Sequence, residues 1–276
     1  MSKKTILSSR QSSTISHEKS DRHIVAMSGG IASAWVAHWA RLNCPKDKTI
    51  YYFNDTLWEH PDLYRFLRNI EGCFDIDIMR DTDGRTPEQV FYDVKMLGNN
   101  RAPICSRALK AERLQSFIHQ GDTIYFGIDP GEIHRAARIT PIYERFGCSC
   151  RFPLIEEMVT RDQMFETIKD YGIEIPQMYK DGFTHNNCSG GCVRAGMKQW
   201  VSLFYTYPEV FAERERVEIE FTKWNNERTG KSGDYHFMKE MSLSELRRIL
   251  ESQQEFDFED NTEWEGECIG ICGDMA

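Results

Sequence analysis

No stretch of this chain approaches the roughly 18 consecutive apolar residues that a membrane span requires, so no membrane partner is expected. Residues 1–22 are rich in Ser, Lys and Thr and hold no apolar core segment. They fit neither a signal peptide nor a transit peptide and are expected to form a flexible arm on a cytoplasmic protein. Internal repeats are missing, which argues against solenoids and propellers. A basic excess is missing too: 34 Lys and Arg against 43 Asp and Glu leave a net charge of −9, which argues against a large nucleic-acid footprint. Much of that acidity sits at Glu255, Asp257, Glu259, Asp260, Glu263, Glu265 and Glu267, with no base among them. Such a run is either a solvated tail or a flap for a basic cleft.

What is present begins with Ser28-Gly29-Gly30-Ile31-Ala32-Ser33, which follows the apolar run His23–Met27 and opens an apolar stretch to Ala40. The order reads as strand, tight turn and helix N-terminus. Glycines let a backbone approach an anion closely, and the first helical turn offers unpaired N–H groups at the positive dipole end. Hydroxyls of Ser28 and Ser33 can add hydrogen bonds to a phosphate. A serine-capped helix after a turn is the plainer alternative.

Strand-like runs recur at Thr49–Phe53, Asp75–Met79 and Thr123–Gly127, with helical patterns at His60–Glu71, Pro87–Leu97 and Arg107–His119 between them. That alternation predicts an α/β fold, a doubly wound, mostly parallel sheet with ligands at the carboxyl ends of its strands. In a chain of 276 residues it leaves room for a smaller unit. We expect an α/β nucleotide-binding domain over 23–155 and a mostly helical, cysteine-bearing appendage over 156–276. The appendage helices are expected at Thr160–Tyr171, Gly196–Tyr205, Pro208–Thr229 and Ser242–Gln253, with capping by Thr160 and Ser242.

Nine cysteines in a reducing compartment are not a disulfide framework. Cys188 and Cys192 form a C-x3-C pair, as do Cys268 and Cys272, so four thiolates are on hand for a [4Fe–4S] cluster or a zinc ion. His185 is an alternative ligand or a plain loop histidine. Cys105 stands near Arg101, Arg107 and Lys110, cations that favour the thiolate, the form that attacks or binds metal. Inert burial is its other reading.

Taken in order, these pieces resemble the phosphoadenosine phosphosulfate (PAPS) reductase-like branch of the PP-loop (adenine nucleotide alpha hydrolase-like, HUP-like) superfamily. Ser28–Ser33 is similar to its S-G-G-x-x-S loop, and Asn54-Asp55-Thr56 with Glu59-His60-Pro61 to its D-T-G-x-E-x-P segment. Arg101 to Lys110 resembles R-x-C-[ST]-x-x-L-K, and Gly127 to Ala136 resembles G-x-R-x-x-E-S-x-x-R-A. Pro176-Gln-Met-Tyr179-Lys-Asp-Gly182, followed by Cys188 and Cys192, is similar to P-x-L-Y-x-x-G and a cysteine pair. There are departures. Ile31-Ala32 replace the frequent Lys-Asp of the loop, Asp129 stands where an Arg is usual, and Gly266-Glu-Cys268 lacks the Gly-x-His that follows Glu-Cys in sulfonucleotide reductases.

The resemblance implies an adenine nucleotide, ATP with Mg²⁺, held at Ser28, Gly29, Gly30, Ser33, Asp55, Arg107, Lys110, Gly127 and Arg135. With no cation in the loop, Lys110, Arg107 and Arg135 would neutralise the phosphates. Asp55 would bind Mg²⁺ or position substrate, or else only cap its turn. Cys105, Asp55 and Lys110 are the candidate catalytic groups, and Cys188, Cys192, Cys268 and Cys272 the metal ligands, with an iron–sulfur cluster favoured by the resemblance. The activity implied is cleavage of ATP at the α-phosphate to adenylate a small-molecule or nucleic-acid acceptor for sulfur transfer, served by a sulfur- or electron-donor protein. The alternatives are a sulfonucleotide reductase acting through a C-terminal cysteine and a non-catalytic nucleotide-binding protein with a structural metal.

Overall fold

The computed structural model describes residues 20–252. Cys268, Cys272, the acidic run and most of the N-terminal arm lie outside the described residues. Five strands, β1 (His23–Met27), β2 (Thr49–Asp55), β3 (Ile78–Thr82), β4 (Thr123–Phe126) and β5 (Ser149–Arg151), form one parallel sheet in the order β3-β2-β1-β4-β5. Period-two alternation within the strands feeds two cores. Val25, Met27, Tyr51, Phe53 and Tyr125 face α1 (Ile31–Asn43) and α2 (Pro61–Phe74). Ile24, Ala26, Tyr52, Ile124 and Phe126 face the opposite way, toward Leu114, Ala136, Ile139 and Tyr143.

The crossover from β3 to β4 runs through α3 (Pro87–Val94), α4 (Ile104–Ser106), a π-helical turn (Arg107–Ala111) and α5 (Glu112–Phe117). Beyond β4 come α6 (Ile133–Glu144), α7 (Pro153–Glu156) and α8 (Arg161–Asp170). Thr86 and Thr160 start α3 and α8 with complete capping boxes, closed by Gln89 and Gln163. Met164 and Ile168 of α8 lie in the same core as α1, so the α/β layer is completed by residues beyond 155.

The helical C-terminal region comprises α9 (Gln177–Lys180), α10 (Met197–Thr206), α11 (Pro208–Thr229) and α12 (Leu243–Glu251). Its core joins Trp200, Phe211, Phe221, Phe237 and Leu246 to Val90 and Phe91 of α3 and to Leu109 of the π-turn. Trp200 is fully buried and stacks on Phe237 with centroids 5.9 Å apart. Each such large side chain contributes about 1.5–3 kcal/mol by leaving water. Glu218 of α11, buried in this layer, accepts from the backbone N–H of Phe237 (2.8 Å) and Leu243 (2.6 Å) and pins the loop leading to α12.

Strand β3 starts three residues later than the alternation Asp75–Met79 predicts. Asp75 instead caps α2 in a left-handed conformation (φ 52°), and the edge strand runs on through Arg80 and Asp81. Those polar residues are held laterally, Arg80 by Glu71 and Asp81 by Arg113 and Tyr52.

Candidate functional site

Strand order reverses at β1: its chain-successor β2 lies on one side and β4 on the other. Parallel sheets bind ligands at such a switch point, outside the carboxyl ends of the strands. The Ser28–Ser33 loop leaves β1 there. Gly29 has φ +80° and an added Cβ would meet Leu63 of α2 at 2.6 Å, so glycine is required on two counts. Gly30 is extended and precedes α1 as its N-cap, without a side chain to cap the helix. Ser33 Oγ accepts from the Ser28 N–H (3.1 Å), donates to the Gly30 carbonyl (3.0 Å) and lies 3.0 Å from Ser28 Oγ. The two hydroxyls thus shape the loop from within.

Gly127, just past β4, presses against this loop. A Cβ there would sit 2.8 Å from Ser33 N and 2.9 Å from Ala32 C, both backbone atoms of the first turn of α1. The loop is clamped from the C-terminal region as well. Tyr179 Oη accepts from the Ile31 N–H at 3.0 Å, and Asn186 Nδ2 donates to the Gly29 carbonyl at 2.8 Å.

At the end of β2, Asp55 accepts from the Leu57 N–H (2.8 Å) and from Tyr64 Oη (3.0 Å to each oxygen). Burial, aided by the Asp55 carboxylate, pushes the Tyr64 phenol far up. Four residues on, Glu59 is buried and gathers three groups. Thr56 Oγ1 donates to it at 2.9 Å, the Cys188 N–H at 3.0 Å, and Lys110 Nζ lies 3.4 Å away. The π-helical turn Arg107–Ala111 buries Lys110 on this side, and such turns recur at functional sites. Arg107, on the same turn, is 63% exposed at its side chain and pairs with Glu112 at 2.8 Å. Arg135 of α6 is buried and pairs with Glu132 at 2.5 Å.

Cys188 and Cys192 are buried and hydrogen-bonded to each other. That bond and burial push the Cys188 thiol well up, while the nearby Lys110 ammonium pulls the other way. The turn holding them is strained: Cys188 and Ser189 take φ 46° and 52°. It is held by Ser189 Oγ on the Trp58 carbonyl (3.2 Å) and by Arg214, which donates to the Gly191 carbonyl (3.3 Å). The Arg214 guanidinium lies 3.5 Å from the centroid of Trp58, and burial lowers its pKa. Cys105 lies in the apolar core with Phe91, Leu97 and Val193.

No protein-family model matches the chain, and no curated protein matches it. The site therefore rests on its own geometry. Among the described residues, no group of three or more His, Cys, Asp or Glu converges to hold a metal ion. Cys188 and Cys192 supply two adjacent thiols; Cys268 and Cys272 lie outside the described residues.

Of the residues singled out in the sequence, Ser28, Gly29, Gly30 and Ser33 build one loop, Gly127 packs against it from the end of β4, and Asp55 stands at the end of β2. Lys110 reaches Glu59, which joins this group to Cys188. Arg107 is turned to solvent, Cys105 is packed apolar, and Arg135 is tied to Glu132. Sequence reading missed Glu59, Tyr179, Asn186 and Arg214 as site builders. The first two stood inside quoted motifs, and Asn186 stands two residues before Cys188. Arg214, one charge among many on α11, carried no signal.

Proposed function

We propose that the chain is an ATP-using enzyme of the PP-loop, PAPS reductase-like kind. It would cleave ATP between the α- and β-phosphates and adenylate an acceptor, for sulfur transfer. The observation that carries this reading is the Ser28–Ser33 loop. It opens α1 at the switch point of a parallel sheet, and Gly127 and the Asn186 and Tyr179 side chains fix its shape. Backbone N–H groups at a helix start favour phosphate oxygens, and donors already in place where charge develops lower the barrier.

In the step itself, an acceptor oxygen forms a bond to the α-phosphorus as the bond to the bridging oxygen of pyrophosphate breaks. The loop holds the leaving pyrophosphate. Lys110, buried by the π-turn and paired with Glu59, and Arg135, paired with Glu132, are the cations that would offset phosphate charge. Mg²⁺, when bound, offsets phosphate charge, and Asp55 is the carboxylate at the strand end to meet it. Cys188 and Cys192 would supply two thiolates of a four-thiolate set, with Cys268 and Cys272, for an iron–sulfur cluster or zinc. The seven described cysteines are all free, which suits a reducing, cytoplasmic setting.

Anaerobic calorimetry with ATP–Mg²⁺ and with phosphoadenosine phosphosulfate tests the reading. Preference for ATP, lost about tenfold or more in Ser33→Ala, is expected. Preference for the sulfonucleotide would instead indicate a reductase, and failure to bind either would remove nucleotide chemistry from the loop.

A further inference from the structure

The residues between Tyr179 and Cys188 carry a feature that phosphate binding does not use. Asn186 and Asn187 are only 3% and 4% exposed. Asn186 Nδ2 is committed to the Gly29 carbonyl, which fixes the plane of its amide, yet its Oδ1 is buried with no hydrogen-bond partner among the described residues. Asn187 is more extreme, for neither Oδ1 nor Nδ2 has a partner there. Three orphaned polar atoms on consecutive residues are costly, since buried amides are almost always satisfied in folded proteins.

Both residues sit between anchored points. Asn186 is fixed to the glycine loop, and the residue after Asn187 donates its N–H to Glu59. The orphaned atoms therefore lie in the wall that joins the loop to the Glu59–Lys110 pair.

The chemistry of these atoms identifies what they accept. A carboxamide oxygen accepts and cannot pair with a phosphate oxygen, which also only accepts. Its partner must bring an O–H or N–H. Asn187 asks for a donor and an acceptor together. Polyphosphate oxygens bound with Mg²⁺ act almost entirely as acceptors and could satisfy only Asn187 Nδ2, whereas a nucleoside also brings donors for the two Oδ1 atoms, through its sugar hydroxyls and the amino edge of its base.

We propose that Asn186 and Asn187 are specificity-determining residues that bind the nucleoside portion of the ligand whose phosphates lie on the Ser28–Ser33 loop. The pair makes the site select nucleotides over polyphosphates. This rests on the nucleotide reading above.

The test compares wild type with Asn187→Leu, which has nearly the same size and no polar atoms. Calorimetry uses three probes, each with Mg²⁺: ATP, 2′,3′-dideoxy-ATP and inorganic tripolyphosphate. The expected result is an ATP affinity about tenfold weaker in the variant, with tripolyphosphate affinity within about twofold of wild type. Thermal melting of the ligand-free variant should occur a few degrees higher, because an orphaned amide has been replaced by an apolar group. If wild type prefers ATP to the dideoxy probe and Asn187→Leu loses that preference, the sugar hydroxyls are the partners; if the variant weakens both nucleotides alike and spares tripolyphosphate, the base is. Either supports the proposal. Equal loss of ATP and tripolyphosphate together with a lower melting temperature would mark a structural amide and overturn it, as would unchanged ATP affinity. Asn187→Ala gives the same comparison of probes should the Leu variant not fold. Wild type binding none of the probes is a different failure, that of the nucleotide reading itself, and it takes this proposal down with it.

Discussion

Replacing Gly127 by Ala tests the contact on which the loop geometry depends. The new methyl carbon would sit 2.8 Å from Ser33 N, 2.9 Å from Ala32 C and 3.0 Å from Ser33 Cα. All three are backbone atoms at the start of α1, so no side-chain rotation relieves the clash. The end of β4 and the helix must separate by several tenths of an ångström. Overpacking of this kind costs about 1–3 kcal/mol, and with only backbone to yield the upper figure applies. At about 2–4 °C per kcal/mol for a chain of this size, about 3 kcal/mol lowers the melting temperature by roughly 6–12 °C. Gly72→Ala is the control. Gly72 lies within α2 with nothing within 4 Å of its added Cβ, and helix propensity alone should raise stability by about 0.5–1 kcal/mol. The assay is thermal melting of both variants beside wild type by circular dichroism. A Gly127→Ala protein melting within 1–2 °C of wild type (about half a kcal/mol) would refute the close approach of β4 to α1.

Lys110→Met should destabilise the protein by about 3–5 kcal/mol, because it leaves the buried Glu59 carboxylate without its cation. Glu59→Gln in the same chain should restore most of that loss in denaturant titrations, and no rescue would mean that the two charges do not act as a pair. Glu218 gives a pH test. Burial pushes its carboxyl up to about 7 in the folded protein against an ordinary value of about 4.5, so the fold favours the neutral acid. Its stabilisation is full below about pH 4.5 and is lost as pH rises through 7, on the order of 3 kcal/mol in all. Melting temperatures of wild type and Glu218→Gln across pH 5 to 8.5 should therefore diverge, wild type falling more; parallel curves would show that Glu218 does not titrate in this range.

The sheet was legible because its inner strands are apolar and its turns are chemical signals. Val25 and Met27 against Ile24 and Ala26 split between two cores as alternation requires, and Thr160 capped its helix as expected, with Gln163 closing a capping box that had not been read in the sequence. β5 was not foreseen, for Ser149-Cys150-Arg151 is a three-residue edge strand with no apolar pattern. The shift of β3 has a related cause: at an edge, side-chain partners such as Glu71 and Arg113 hold polar residues in the ladder, and alternation is blind to them. Within the site, the glycine loop could be read from residues near one another in sequence. The junction of Glu59, Lys110 and Cys188 could not, since it is made by elements far apart in the chain. Arg107 and Lys110 looked equivalent as charges three residues apart, and the π-turn separates their fates, one exposed and one buried.

The two clamps on the glycine loop come from Tyr179 and Asn186, 148 and 157 positions after the residues they hold. During synthesis, β1, the loop and α1 emerge from the ribosome long before those side chains exist. A chain that has only reached β5 has every described strand of the sheet but neither clamp, and Met164 and Ile168 have not yet covered α1. Domains fold as units once their residues are available, and this one becomes available late. A product terminated early would therefore carry the Ser28–Ser33 loop without the two side chains that clamp it, and a clamped loop reports that most of the described chain has been made.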